Sequence, residues 1–261
     1  MTLNEIKSGL NTKILGNEVI FYDETTSTND IALDLADKGA KEGTLIIADS
    51  QTKGRGRLDR KWVASAGTSI LASLILRPPI ELSQVNKIVL ITAISIVYAI
   101  RSVTNLQALI KWPNDIVIND GKVGGILTET RTKKNFVDFV VVGFGVNVNI
   151  PEGSLPKEIV DIATSLSIES GCELSRVHLL QEILRQFEFR YLRLDDNSFL
   201  SEWKSLSATI SRQVRIEYPD SVKIGLAVDI DENGALIIQQ NTGETQRILN
   251  DDIVKLSPFL N

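Results

Sequence analysis

Apolar and polar positions divide the chain into a long region of well-separated helix and strand patterns and a tail of brief alternating strands. After about twenty mixed residues, Phe21-Tyr22 leads through Asp23-Glu24-Thr25-Thr26 to Ser27-Thr28-Asn29-Asp30, where a helix begins. Ser27 or Thr28 is placed to cap it, Ile31 and Leu35 share a face, Lys38 sits in the last turn and Gly39 suits a left-handed close. Thr44 to Ala48 is rich in strand formers and enters a polar loop at residues 51–60, and Ser69 to Leu76 is a further strand, halted before Pro78-Pro79. The apolar run Ile88 to Ile100 is 13 residues long between Lys87 and Arg101, short of the roughly 20 needed to cross a bilayer, and predicts a buried helix. Asp115 to Ile118 and Val123 to Glu129 form a hairpin around Asn119-Asp120-Gly121, residues that tolerate positive φ. Phe136 to Val142 reads as a strand entering Gly143-Phe144-Gly145-Val146-Asn147, where the glycines predict a turn. A helix follows from Ser175 to Leu194, with Val177, Leu180, Leu184, Phe187 and Tyr191 on one face, then a shorter one from Phe199 to Leu206.

From Thr209 the strands shorten: Val214–Tyr218, Ile224–Ile230, Ala235–Gln239, Arg247–Leu249 and Ile253–Leu256, with turns at Glu232-Asn233-Gly234 and Asn241-Thr242-Gly243. The order predicts an α+β fold, a mixed sheet flanked by helices over residues 1–208 and a small barrel over 209–261. Charge narrows the functions open to such a fold. With 28 Lys+Arg against 33 Asp+Glu the net charge is −5, which disfavours a broad DNA-binding surface, so any cationic site is local. One cysteine, Cys172, and one histidine, His178, exclude an internal disulfide and a His/Cys metal cage, and both read as structural. The first residues, MTLNEIKSGL, lack a secretory pattern, which makes the cytoplasm the expected location.

The densest chemical signal is Gln51-Thr52-Lys53-Gly54-Arg55-Gly56-Arg57-Leu58-Asp59-Arg60-Lys61-Trp62. Glycines let a backbone approach an anion closely, and guanidinium forks grip phosphate or carboxylate oxygens. Alone, the stretch reads equally as a solvated loop, and an RNA-binding segment is a third reading. Lys111-Trp112-Pro113-Asn114-Asp115 presents Asn114 and Asp115 at a strand start, and Lys122 lies just past the hairpin turn beside Gly124-Gly125. That lysine either sets a point charge against an anion or merely protects a sheet edge. Gly143 to Asn147 lacks GxGxxG spacing, and no GxxxxGK[ST] phosphate loop exists, so any nucleotide is bound another way.

Taken together, Ser27-Thr28-Asn29, the GRGRxxRxW-like Gly54 to Trp62, the KWPND block Lys111 to Asp115, Lys122 with Gly124-Gly125, and the GxGxN-like Gly143 to Asn147 resemble the biotin–protein ligase family. The likeness is strong over residues 21–150 and looser over the C-terminal strands. It implies a class II synthetase-like catalytic domain with an SH3-like barrel. It also implies ATP-dependent formation of biotinyl-5'-AMP, then transfer to a lysine of a biotin carboxyl carrier protein or domain. By that resemblance Ser27, Thr28, Asn29 and Gln51 bind the biotin head group, with Gly124 and Gly125 lining the same pocket. Arg55, Gly56 and Arg57 hold the biotin carboxylate and the ATP phosphates, Lys122 bridges carboxylate and α-phosphate, Trp62 walls the nucleotide, and Asn114 and Asn147 contact adenine. Magnesium is implied with ATP, and no metal ligands are assigned. Lys122, Arg55 and Arg57 are the expected catalytic residues; Asp115 is a scaffold or orients Lys122 or the incoming amine. Asp59 stands where the commonest family form has glycine. The segment before Phe21 is too short for the DNA-binding domain of repressor relatives, so neither DNA nor membrane is an expected partner, and homodimerisation is left open. A lipoate–protein ligase or octanoyltransferase is the competing enzyme reading. Outside enzymes, a biotin- or nucleotide-sensing module would bind ligand without releasing pyrophosphate.

Overall fold

The computed structural model describes residues 1–134, 136–249, 253 and 255–258. Seven strands make the large sheet: β1 (Val19–Thr25), β2 (Leu45–Gln51), β3 (Ser69–Leu76), β4 (Leu109–Lys111), β5 (Asp115–Ile118), β6 (Gly121–Lys133) and β7 (Phe136–Asn147). Their order is β1-β2-β3-β7-β6-β5-β4; β1 and β2 run parallel and the other pairings are antiparallel. The helices are α1 (Leu3–Ser8), α2 (Thr28–Asp37), α3 (Asn86–Thr104), α4 (Leu166–Ser170), α5 (Arg176–Tyr191) and α6 (Phe199–Ser205). The opening segment, read above as a preamble, contains α1, fastened by a capping box between Thr2 and Glu5.

β3 is buried at every position because both faces of the sheet are covered. Ile70, Ala72 and Leu74 face the main core under α3, whereas Ile75 joins Ala32 and Ala36 of α2 on the opposite side. α3 extends the expected apolar run to 19 residues. Its composition would suit a membrane span, yet most of it is buried and α5 and α6 pack over it, so it is the central core helix. At the hairpin, Asn119 (φ 49°) and Asp120 (φ 66°) take the left-handed values that a two-residue turn between β5 and β6 requires.

The second sheet comprises β8 (Gln213–Glu217), β9 (Val222–Ile230), β10 (Leu236–Gln239), β11 (Thr245–Ile248) and β12 (Lys255–Pro258), antiparallel in the order β11-β10-β9-β8-β12. It is the SH3-like unit. The last expected strand begins at Lys255 rather than Ile253, and Val254 lies outside the described residues. Trp112 joins the two sheets: its Nε1 donates to Gly234 O at 3.0 Å and its backbone N–H to Thr209 Oγ1 at 3.0 Å. A second correction concerns Cys172, which is exposed rather than packed; His178 is also exposed, on α5.

Glu188 of α5, itself buried, accepts the backbone N–H groups of Lys13, Ile14 and Leu15 at 2.6, 2.7 and 2.9 Å, tying the N-terminal segment to the core. Removing this carboxylate strands three donors, each costing on the order of 1 kcal/mol or more. Glu188→Ala should therefore lower the melting temperature by about 5–10 °C; an unshifted thermal melt would show that the clamp contributes nothing.

Candidate functional site

A cavity of 390 Å³ opens on the sheet face opposite α3, a size suited to a drug-sized ligand. Its floor is β7. Along that strand Val140, Val142, Phe144 and Val146 point into the main core, so Gly143, Gly145 and Asn147 fall on the cavity side. The expected glycine turn is corrected here: both glycines lie inside a continuous strand. They are needed for steric reasons. A Cβ on Gly143 would overlap Asn29 Oδ1, and one on Gly145 would stand 2.5 Å from Trp62 Cε2. The bare strand thus admits one side chain from α2 and one from the glycine–arginine loop.

At one end of the cavity the start of α2 meets the end of β2. Ser27 occupies the N-cap position, but its side chain makes no capping hydrogen bond. Gln51 supplies the cap instead, its Oε1 accepting from Thr28 N at 2.7 Å and Thr28 Oγ1 at 3.1 Å. Ser73 of β3, not singled out from the sequence, donates to Asn29 Oδ1 at 2.6 Å, and its Oγ lies at hydrogen-bond distance, 2.8 Å, from Thr28 Oγ1. Asn29 Nδ2 donates to Glu129 Oε2 at 2.9 Å and, more weakly, to Leu127 O at 3.3 Å. Both Nδ2 donors of Asn29 are thus engaged within the protein, and Ser73 occupies one of the two acceptor positions of its Oδ1.

The middle of the cavity is cationic. Lys122 sits on β6 at a bulge, opposite Val117 where the β5–β6 register shifts, and its backbone N–H and C=O also pair with Ile162 O and Thr164 N. β6 lies between β5 and β7, so edge protection does not explain this lysine. Its Nζ is 2.5 Å from Asp115 Oδ1 and 5.5 Å from the centre of the Trp62 ring. Arg57 reaches Asn114 Oδ1 at 3.5 Å, and Asn114 Nδ2 donates to Ile126 O at 2.7 Å. Arg55 lines the cavity, but its Nη2 lies 2.7 Å from Asp30 and 2.6 Å from Glu129. Among the described residues lining the cavity, seven are Lys or Arg (Arg55, Arg57, Arg60, Lys61, Lys111, Lys122 and Lys255) and three are acidic (Asp115, Asp120 and Asp161). In a chain of net charge −5 this is a local reversal of sign that favours an anion.

Among the described residues two buried polar atoms beside the cavity have no partner, Trp62 Nε1 and Asn147 Oδ1, whereas Asn147 Nδ2 donates to Thr164 O at 3.0 Å. Buried groups of this kind are costly unless something satisfies them, and a ligand with its own donors and acceptors would do so. The structure thus brings Ser27, Thr28, Asn29, Gln51, Arg55, Gly56, Arg57, Trp62, Asn114, Asp115, Lys122, Gly125 and Asn147 to one cavity. Gly124 is not among the lining residues; it pairs with Ile116 and Val146 inside the sheet. Sequence reading missed Ile159 to Ala163, and Ile253, Lys255 and Leu256 of the C-terminal unit, which complete the walls. These segments carry no glycine or charge pattern to mark them. No group of three or more His, Cys, Asp or Glu side chains among the described residues is arranged to hold a metal ion.

Comparison with known proteins decides the family. Residues 21–147 match the model of the biotin/lipoate A/B protein ligase family, and residues 209–255 match the biotin protein ligase C terminal domain. The chain is 39% identical over 253 residues to the bifunctional ligase/repressor BirA of Bacillus subtilis, covering 96% of this chain and 78% of that protein. The chain belongs to the biotin/lipoate A/B protein ligase family. It is also 32% identical over 244 residues to the biotin–[acetyl-CoA-carboxylase] ligase of Mycobacterium tuberculosis, covering 89% of this chain and 87% of that one. Among solved structures, the biotin protein ligase of Aquifex aeolicus in complex with biotin and ATP superposes with a TM-score of 0.80 at 29% identity, over 93% of this chain and 100% of that one.

Against the family form, Asp59 and the preceding Leu58 hold left-handed backbones, φ 57° and 54°. A left-handed L-residue costs roughly 1–2 kcal/mol, less for aspartate, whereas glycine pays nothing. Asp59→Gly should relax the loop and remove a negative charge from it, and the KM for the anionic substrate that fills the cationic middle should fall about twofold to fivefold; a rise would mean that Asp59 itself supports the loop. In the opposite direction, Gly145→Ala should push Trp62 off the strand, and an overpacking cost of about 1–3 kcal/mol predicts a rise of roughly fivefold to a hundredfold in the KM for nucleotide. An unchanged KM would show that Trp62 is no part of the nucleotide wall.

Proposed function

We propose that this chain is a biotin–protein ligase that activates biotin with ATP as biotinyl-5'-AMP, releases pyrophosphate, and transfers biotin to a lysine of a biotin carboxyl carrier domain. The observation that carries this reading is the single cavity, which gathers a polar head-group end, a cationic centre and an aromatic and amide end from the five motifs. The biotin and ATP found with the Aquifex aeolicus relative fit that division. In this reading Ser27, Thr28 and Gln51 receive the head group, Gly56 and Gly125 let the backbone approach the ligand, and Trp62, Asn114 and Asn147 receive the nucleotide. The unpartnered Trp62 Nε1 and Asn147 Oδ1 support that last assignment. A domain boundary near residue 208, a cytoplasmic setting and magnesium arriving with the nucleotide complete the reading, and DNA and membrane have no part in it.

The chemistry follows from charge. A carboxylate and a polyphosphate repel, so attack by a biotin carboxylate oxygen on the α-phosphorus requires both anions to be neutralised and aligned. Lys122 and Arg57 supply the charge. Asp115, at 2.5 Å, holds the Lys122 ammonium in place between the two reactants. The new C–O–P linkage forms as the bond from the α-phosphorus to the pyrophosphate oxygen breaks. In the second step a neutral lysine amine of the carrier attacks the carbonyl carbon of the mixed anhydride, AMP leaves with the C–O electrons and the nitrogen loses a proton; no covalent enzyme intermediate is required.

The deciding experiment incubates the protein with ATP, magnesium and either biotin or lipoate and follows pyrophosphate exchange and acyl-adenylate. Adenylate from biotin alone is the expected result; lipoyl-adenylate would transfer the assignment to the lipoate branch, and ligand binding without pyrophosphate release would make the protein a sensor. Lys122→Ala should lose ~10²–10³-fold in exchange, the loss typical of one transition-state contact. Near-normal exchange by that variant would remove Lys122 from the mechanism.

A further inference from the structure

We propose that Arg55 is a positioning residue, a latch that fastens the glycine–arginine loop to α2 and β6, and not a direct ligand of the substrate anions. The inference rests on the proposed function for its meaning, because the loop it fastens closes the biotin end of the cavity. Arg55 Nη2 stands 2.7 Å from Asp30 Oδ1 and 2.6 Å from Glu129 Oε2. One guanidinium charge therefore faces two carboxylates, and an approaching anion would meet a net negative charge at this point. Lys122, which among the described residues has one carboxylate partner, Asp115 at 2.5 Å, carries no such deficit.

Both anchors are themselves fixed. The Glu129 oxygen that accepts from Arg55 also accepts from Asn29 Nδ2 at 2.9 Å, and Asn29 Oδ1 accepts from the buried Ser73 hydroxyl at 2.6 Å. A continuous run of hydrogen bonds thus leads from the interior of β3 to the loop. On the loop side, Arg55 bridges to Lys61, Gly56 N donates to Arg60 O at 2.7 Å and Trp62 N to Gly54 O at 2.9 Å, so holding Arg55 holds the whole turn. The side chains are only partly exposed, at 38% for Arg55, 45% for Asp30 and 26% for Glu129. Pairs of this kind are modest and screened by salt, which suits a fastening that has to open for ligand exchange.

Latch and ligand make opposite predictions. Asp30→Asn and Glu129→Gln keep side-chain size and remove the charge that Arg55 grips. The latch reading expects amide hydrogen exchange across residues 54–62 of the ligand-free protein to quicken by about fivefold for each variant, the most that an exposed pair commonly supplies. Biotin release should quicken and its KM rise to a similar extent, with the single-turnover adenylation rate at saturating biotin unchanged. In an Arg55→Ala background Asp30→Asn should have no further effect, which separates the latch from misfolding, and Arg55→Lys should recover part of the protection. If Arg55 were an anion ligand, freeing it from its carboxylates would tighten biotin or ATP; a lowered KM, or hydrogen exchange unchanged in both variants, overturns the latch. A wild-type protein that forms no biotinyl-adenylate defeats the proposed function alone, since the exchange measurement needs no ligand.

Discussion

Two side chains, Asn29 and Trp62, lie across the surface of β7, and they do so only because that surface has no Cβ at Gly143 and Gly145. Everything else about the cavity depends on this steric opening. Trp62 on the strand gives Lys122 an aromatic face at 5.5 Å, and Asn29 on the strand places an amide where it can orient Glu129. The same alternation that leaves the cavity face bare sends Val142, Phe144 and Val146 into the core beneath α3. A single strand therefore supplies core packing on one side and the floor of a binding site on the other. The price of that arrangement is a strand with two weak β-formers, offset by its central place between β3 and β6.

Charge is arranged on a second principle. An acidic molecule keeps its cations from collapsing onto random carboxylates by assigning them partners: Lys122 to Asp115, Arg57 to Asn114, Arg55 to Asp30 and Glu129. The assignments differ in kind. Among the described residues, Lys122 faces one carboxylate and stays available to an incoming anion, while Arg55 faces two and has no charge to offer. Position in a glycine–arginine motif does not distinguish these cases; the acidic residues that do lie on α2 and β6, far away in sequence.

That distance marks the limit of what was legible in the chain. Local patterns carried the helices, the Asn119-Asp120-Gly121 hairpin and the change to short strands after Thr209, because capping, periodicity and turn chemistry act within a few residues. The motifs also converge on one cavity, since glycines and arginines announce close approach and charge. What stayed hidden came from pairing across the sheet. The glycines of β7 read as a turn because sequence shows their weak strand propensity and not the side chains that lie over them. Ser73 and Glu129 look like ordinary strand residues until β3 and β6 are placed on either side of β7. α1 was missed because six residues give too short a pattern, although the Thr2–Glu5 capping box was in view.

The C-terminal unit follows from the same logic of non-local pairing. Trp112 belongs to the motif that carries Asn114 and Asp115, yet its own side chain is buried and donates to Gly234 of the small sheet. Its neighbour Ile110 pairs by backbone with Leu206 and Ala208, just before that sheet begins. One short stretch thus faces two ways: Asn114 and Asp115 look into the cavity, and Trp112 fastens the second unit beside it. That placement brings Ile253, Lys255 and Leu256 to the cavity wall. The small sheet is therefore structurally continuous with the site, and a substitution at Trp112 would disturb the cavity through the position of a neighbouring wall, with every polar residue of the motif still present.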